Sequence, residues 1–240
     1  MVAARAKIVH FVKTVHFVKA MHFVKAMNFV KTSRMNDMKN KKAILIFGTF
    51  NPITNAHLYL GIRTKELIND ADVIYIPAKD DFLKGWKGMG DESIISNRLS
   101  LLKEVTGEYG FLVSSIEVDG VVDGKSINTI NYFKNEEAYE EVFFVMGTDK
   151  VPELQRWYKS EELVSANRFL VFSRGEKLED VMTDFTRKYA DHFQSVEADP
   201  GYADISATRV REALSNGHLE DIEKLVPAKV YEYLSLCQSV

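Results

Sequence analysis

The sequence predicts an α/β fold: a mostly parallel sheet with helices on both faces, closed by helices at the C-terminus. Three observations predict it. Short, almost wholly apolar runs such as Ala43–Phe47, Glu141–Met146 and Arg168–Ser173 read as strands buried on both faces. Longer segments with helical spacing of apolar residues separate them, the alternation that builds right-handed βαβ units. Two of the runs end in glycine, Gly48 and Gly147, where the chain can leave a sheet into a tight loop.

The elements follow in order. Ala43–Phe47 is the first strand, and a loop runs from Thr49 to Thr54. Asn55 is placed to cap a helix reaching about Asn69. Asp72–Pro77 is a second buried strand, Ser93–Val105 a helix, Phe111–Val118 a strand and Ser126–Asn135 a helix. After Glu141–Met146, helices are predicted over Val151–Ser165 and Leu178–His192, with the Arg168–Ser173 strand between them. Phe193–Glu197 is a short strand. Ser206–Ser215, His218–Leu225 and Ala228–Leu236 are the closing helices. In such a sheet, ligands sit beyond the carboxyl ends of the strands, where the strand order reverses. Gly48–Ala56 and Gly147–Lys150 are the loops predicted there.

Composition narrows the class of function. The chain has 240 residues, 46% hydrophobic and 27% charged, which suits a globular protein with a sizeable core. A single cysteine, Cys237, excludes an internal disulfide framework and any zinc site built on several cysteines. It fits a reducing compartment, so a cytoplasmic location is expected. No uninterrupted apolar run of about 18 residues is present, so no spanning helix and no membrane partner are expected.

Charge is unevenly spread. The first 36 residues carry seven basic side chains and no acid, within a chain of formal net charge −3. The body is therefore acidic, which argues against a nucleic-acid partner. Residues 9–32 repeat with a period of six: VHFVKT, VHFVKA, MHFVKA, MNFVKT. A six-residue period gathers no single apolar stripe on a helix. On a strand it leaves both faces half apolar. A targeting segment and an aggregation-prone strand former are alternatives; the preferred reading makes residues 1–37 an appendage and 38–240 the functional domain. Met35 and Met38 are plausible internal starts.

Three motifs carry chemistry. The first is Gly48-Thr49-Phe50-Asn51-Pro52-Ile53-Thr54-Asn55-Ala56-His57. Gly48 would let backbone approach a ligand, and the loop delivers a helix N-terminus whose N–H groups and dipole attract phosphate. His57 lies in the first turn, and Thr54 offers a hydroxyl. The second is Ile205-Ser206-Ala207-Thr208-Arg209-Val210-Arg211, another capped helix start, with Ser206 as cap, Thr208 as a donor and Arg211 able to grip a polyphosphate bidentately. The third is Gly147-Thr148-Asp149 with Trp157 downstream, a carboxylate suited to ribose hydroxyls and an indole suited to an electron-poor ring. No G-x-S-x-G string or reactive-cysteine context appears, so no protein nucleophile is expected.

These motifs together resemble the nicotinate/nicotinamide mononucleotide adenylyltransferases, within the nucleotidyltransferase superfamily marked by G-x-F-x-P-x-(H/T)-x-x-H. The resemblance spans about residues 42–236. Thr54 stands where many members carry the first histidine, Ala56 where a glycine is common, and Ala207 replaces one serine of I-S-S-T-x-x-R. The resemblance implies a Rossmann-like sheet and AMP transfer from ATP to nicotinate mononucleotide, with the amide form used less well. His57 and Arg211 would be catalytic. ATP would meet Gly48, Thr49, Phe50, Thr54, His57, Gly147, Asp149, Ser206, Thr208 and Arg211. The mononucleotide would meet Asn51 and Trp157, with Lys84 and Lys87 as candidates for its phosphate. Lys84–Gly90 could form a cover over the site. Arg98 would be structural or phosphate-adjacent. Mg²⁺ would be held mainly through ATP phosphates, with no dedicated protein metal ligands. A homo-oligomer remains open. A sister transferase acting on phosphopantetheine or FMN, and a nucleotide-binding module without turnover, are the alternatives.

Overall fold

Six strands form one sheet in the order β3-β2-β1-β4-β5-β6, and every neighbouring pair is parallel. The structure is a computed structural model that describes residues 41–85, 97–173 and 175–238. The reading of the repeat, of Lys87 and of the helix start at 93–96 lies outside the described residues. The strands are β1 (Lys42–Gly48), β2 (Ala71–Pro77), β3 (Leu112–Val113), β4 (Glu141–Gly147), β5 (Arg168–Ser173) and β6 (Phe193–Glu197).

Side chains alternate across this sheet and divide the core in two. From β1, Ile44 and Ile46 join one cluster, and Ala43 and Leu45 join the other. The first cluster is covered by α1 (Asn55–Leu67), α3 (Arg98–Gly107), α9 (Ala207–Ser215) and α10 (Ala228–Gln238). The second is covered by α4 (Ser126–Asn135), a 3₁₀ helix (Thr148–Arg156) and α5 (Ser160–Ser165). Helices thus lie on both faces, as expected. Among the described residues no helix is long and apolar enough to cross a membrane.

Four expected elements come out differently. The predicted strand Phe111–Val118 pairs only over Leu112–Val113. Beyond it, Asp119 N–H donates to Ser115 O at 2.8 Å and Val121 N–H to Ile116 O at 2.9 Å, so local turns take the bonds a ladder would have used. The predicted helix Val151–Ser165 is a 3₁₀ helix, then an extended Trp157, then α5. Pro152 lies inside that 3₁₀ segment, and Lys159 has φ 49°, which interrupts any continuous α-helix. The predicted helix Leu178–His192 splits into α6 (Leu178–Val181), α7 (Asp184–Arg187) and a 3₁₀ turn, Ala190–His192. Thr183 forces the split: it forms a capping box with Thr186 and so starts a new helix. The His218–Leu225 segment shrinks to a 3₁₀ turn, Leu219–Ile222. Two short helices were not anticipated, α2 (Asp80–Gly85) and α8 (Pro200–Ala203).

Candidate active site

The strand order reverses between β1 and β4, which are hydrogen-bonded neighbours. Their carboxyl ends therefore place the Gly48 loop and the Gly147 loop side by side, the crevice where open α/β sheets take ligands.

His57 is the third residue of α1, and its cap is Thr54 rather than the expected Asn55. Thr54 and His57 form a capping box: His57 N–H donates to Thr54 Oγ1 at 3.4 Å and Thr54 N–H donates to His57 Nδ1 at 3.1 Å. An Nδ1 that accepts a backbone N–H carries no proton, so the neutral ring holds its proton on Nε2. The Phe50 ring stands edge-on to the imidazole, centroids 5.1 Å apart. Thr54 is fully buried, so its hydroxyl orients His57 instead of being offered to a ligand.

Asn55 takes another task. Its N–H donates to Leu225 O at 2.9 Å, and its amide Nδ2 to Lys224 O and Val226 O. The C-terminal segment is thereby fastened onto the start of α1. The Asn55 and His57 N–H groups are both spent inside the protein, so this helix start presents an imidazole more than a nest of free amides.

The two glycines make room for side chains. A Cβ on Gly48 would stand 2.8 Å from the Phe50 ring. A Cβ on Gly147 would collide with the Asp149 carboxylate. At Gly48 the missing Cβ leaves room for the Phe50 ring. Phe50 is fully buried at φ 45°, and packing against Tyr75 and His57 holds it in that left-handed conformation. Asn51 is likewise fully buried, which removes it as a surface offered to the mononucleotide, and its peptide bond to Pro52 is cis. Thr49 is half-buried, and its carbonyl accepts from Arg98.

Arg211 joins the two helix starts. Its Nη1 donates to Asn51 O at 2.8 Å, across 160 positions of sequence, and its Nη2 to Thr208 Oγ1 at 3.1 Å. Burial pulls the guanidinium down from its ordinary value, and Glu212 opposes this. The Ser206 hydroxyl caps α9 by accepting the Arg209 N–H at 3.3 Å.

The remaining candidates are spread around this centre. Asp149 is exposed at the end of β4 and lies 3.5 Å from Lys150 Nζ. Trp157 is half-buried, edge-on to Phe144 at 5.9 Å between centroids, against the second core cluster. Lys84 is exposed on α2. Arg98, only 4% exposed, proves to be a clamp: it donates to Thr49 O at 2.8 Å, Ala78 O at 2.6 Å and Asp80 Oδ1 at 2.7 Å. It ties the loops after β1 and β2 together. Glu117 went unnoticed in the sequence. It is buried, accepts from Thr129 Oγ1 at 2.8 Å, and burial raises its carboxyl above the ordinary value. The acid inside the supposed Phe111–Val118 strand was the one available signal.

Fold and site together define an α/β protein whose two capped helix starts are tied together through Arg211 and the loop after β1. The cytidylyltransferase-like family model matches residues 45–213, and a model of the citrate lyase ligase C-terminal domain matches residues 195–234. The chain belongs to the cytidylyltransferase-like family. A protein of Clostridium acetobutylicum named a probable nicotinate-nucleotide adenylyltransferase is 27% identical over 199 residues, covering 81% of this chain and 96% of that protein. One of Clostridium tetani with the same name is 26% identical over 196 residues, again covering 81% and 96%. The Plasmodium falciparum nicotinic acid mononucleotide adenylyltransferase complexed with NaAD has the same fold: TM-score 0.64 at 17% identity, over 81% of this chain and 94% of that one.

Proposed function

We propose that the protein transfers AMP from ATP to nicotinate mononucleotide, giving deamido-NAD and pyrophosphate. The observation that carries the reading is the Arg211–Asn51 bond, which brings both helix starts to the β1/β4 crevice. The name shared by relatives that match almost end to end supports the choice of reaction.

The chemistry needs positioning and charge stabilisation. An oxygen of the mononucleotide 5′-phosphate attacks the α-phosphorus of ATP in line, and the bond from that phosphorus to the bridging oxygen of pyrophosphate breaks. The proton on His57 Nε2 serves as a donor to the phosphates, its direction set by the Thr54 capping box. Arg211 would spread positive charge over them. Asp149, whose carboxylate lies where a Cβ on residue 147 would stand, would accept from ribose hydroxyls. Trp157 offers the unpacked part of its indole to the pyridine ring. Lys84 and Lys87 remain the candidates for the acceptor phosphate. Asn51 and Thr54 support the site from beneath, Asn51 through its carbonyl and Thr54 through its hydroxyl.

Mg²⁺ would enter this site carried by ATP phosphates and water, and would supply neutralising charge for the pyrophosphate. Among the described residues no cluster of His, Cys, Asp and Glu offers it a cage, and Asp149 is the exposed carboxylate within the crevice. The reading keeps a cytoplasmic location and nucleotide substrates, with no nucleic-acid partner, and leaves a homo-oligomer open.

The test is pyrophosphate release from ATP with four acceptors: nicotinate mononucleotide, its amide, phosphopantetheine and FMN. The expected order of kcat/KM puts the acid first and the amide second. An amide NH₂ facing a donor meant for the carboxylate costs about 1–3 kcal/mol, roughly 5- to 150-fold. Preference for phosphopantetheine or FMN would move the protein to a sister reaction. Tight ATP binding without turnover on any acceptor would make it a binding module.

A further inference from the structure

Tyr59 lies two residues beyond His57 on α1, outside every motif singled out above. Its ring lies flat on that of Tyr202 in α8, centroids 4.3 Å apart and planes 12° apart. It also stands edge-on to Phe172 near the end of β5, at 6.3 Å. Its hydroxyl accepts the N–H of Asp199 at 3.0 Å, across 140 positions of sequence.

The segment it grips is internally braced. The Asp199 carboxylate accepts the Gly201 N–H at 2.8 Å, capping α8. Ile205 N–H donates to Tyr202 O at 3.2 Å, and Arg209 Nη1 to Asp204 O at 2.8 Å. Residues 199–209 therefore move as a unit, and the Ser206 cap with the first turn of α9 is part of that unit. Val210 and Ile205 sit in the core, but apolar contacts resist sliding less than directed bonds do. The directed ties to the Gly48 loop and α1 are at the two ends of the segment, Asp199–Tyr59 and Arg211–Asn51. One tie fixes a distance; two fix an orientation.

We infer that Tyr59 is a positioning residue, which registers the α9 helix start and Arg211 against His57. The inference rests on the adenylyltransferase reading for the reaction it serves, but its first consequence is for ATP alone. Tyr59 grips the half of the site that holds polyphosphate, and nothing it touches belongs to the Trp157 side.

The test uses the full chain with Tyr59→Leu, Tyr59→Phe and Tyr202→Leu. Calorimetry measures ATP binding without acceptor, and steady-state kinetics measure turnover with nicotinate mononucleotide. Losing the stack and the hydroxyl together lets α9 drift, and a displacement near 1 Å is worth on the order of 100-fold in rate. Tyr59→Leu is therefore expected to weaken ATP binding and lower kcat by roughly 10- to 100-fold, with the KM for the mononucleotide changed less than about threefold. Tyr59→Phe keeps the stack and should recover most of the loss. If Tyr59→Leu does not fold, Tyr202→Leu opens the same clamp from the α8 side. In an Arg211→Ala background, Tyr59→Leu should cost much less than in the native chain, because the group being registered is gone.

Equal changes in both KM values, unchanged ATP binding, or additive effects with Arg211→Ala would overturn the inference. Failure to turn over nicotinate mononucleotide while Tyr59→Leu still weakens ATP binding would instead sink the adenylyltransferase reading and leave Tyr59 its role.

Discussion

The starts of α1 and α9 share one local device and present opposite surfaces. Each is capped by a hydroxyl side chain that accepts the N–H three residues on, Thr54 from His57 and Ser206 from Arg209. At α1 the third residue folds its own side chain back to close the box, and the Asn55 N–H is taken by Leu225 O. That start spends its Asn55 and His57 amides inside and offers a half-buried imidazole. At α9 the third residue, Arg209, reaches to Asp204 O instead, and the site cation comes from Arg211 two residues later. The first turn of α9 keeps its Ala207 and Thr208 N–H groups outside the helix's own bonding. In the proposed reaction the two capped helices would divide the polyphosphate between them, one supplying an oriented donor and the other a cation with amides. The cap does not decide which; the third residue and the segment packed beside it do.

The comparison breaks most severely at His57. His57→Ala removes an oriented side-chain donor and is expected to lower kcat by about 10²- to 10³-fold with little change in the KM for ATP. Arg211→Ala should instead raise the KM for ATP as well, because it grips phosphate in the ground state. Steady-state kinetics on both variants check the division, and identical profiles would erase it.

Trp157→Ala tests the region outside both helix starts. Stacking on an aromatic is worth about 1–3 kcal/mol per base, so the KM for the mononucleotide should rise roughly 10- to 100-fold and that for ATP much less. If both rise together, or the fold weakens sharply, Trp157 belongs to the core beside Phe144.

Smaller effects separate the two caps. Thr54→Val and Ser206→Ala each remove a cap worth about 1 kcal/mol, so thermal melting should show similar losses of stability. Turnover should differ: about tenfold lower for Thr54→Val, whose partner is the proposed catalytic ring, and within about threefold for Ser206→Ala, the scale of one misaligned donor. Equal turnover would mean that the capping box does not orient His57.

Glu117 gives a pH signature on the far side of the sheet. Burial disfavours its charged form, so its folded value lies above the ordinary 4.5. The folded state then holds a proton longer than the unfolded chain does. Its contribution is fully present below 4.5 and is lost as pH rises through the folded value. Glu117→Gln has no such dependence. The melting difference, variant minus native, should grow as pH is raised from 4.5 and then level; a flat difference would refute the shift. The smallest expected effect is none: a chain starting at Met38 should keep full activity. A large loss of turnover there would give the repeat a role.

Much of this was legible in one dimension. The runs Ala43–Phe47, Glu141–Met146 and Arg168–Ser173 were read as strands because a strand buried on both faces has no polar side to show, and they match β1, β4 and β5 within a residue or two. Other elements misled. Phe111–Val118 has strand-like residues, yet at the sheet edge local turn bonds competed with a ladder of one neighbour and won after Val113. Leu178–His192 has helical spacing, but a Thr183–Thr186 box is a start signal that periodicity does not register. A missing Cβ at Gly48 leaves space, and the sequence does not say which side chain packs against it; in the fold it is Phe50.

By itself, then, the sequence determined the α/β class, the three motifs and the residue types that phosphate chemistry needs, because these depend on side-chain periodicity and on bonds within a few positions. Only the tertiary structure decided what those residues do. Thr54 cannot be known as the orienter of His57 until it is seen buried, nor Asn55 as an anchor until Leu225 is beside it. Arg211 on Asn51 and Tyr59 on Asp199 join positions 160 and 140 apart. Such pairs are chosen by how the two core faces pack around the sheet, and no local pattern in the chain encodes them.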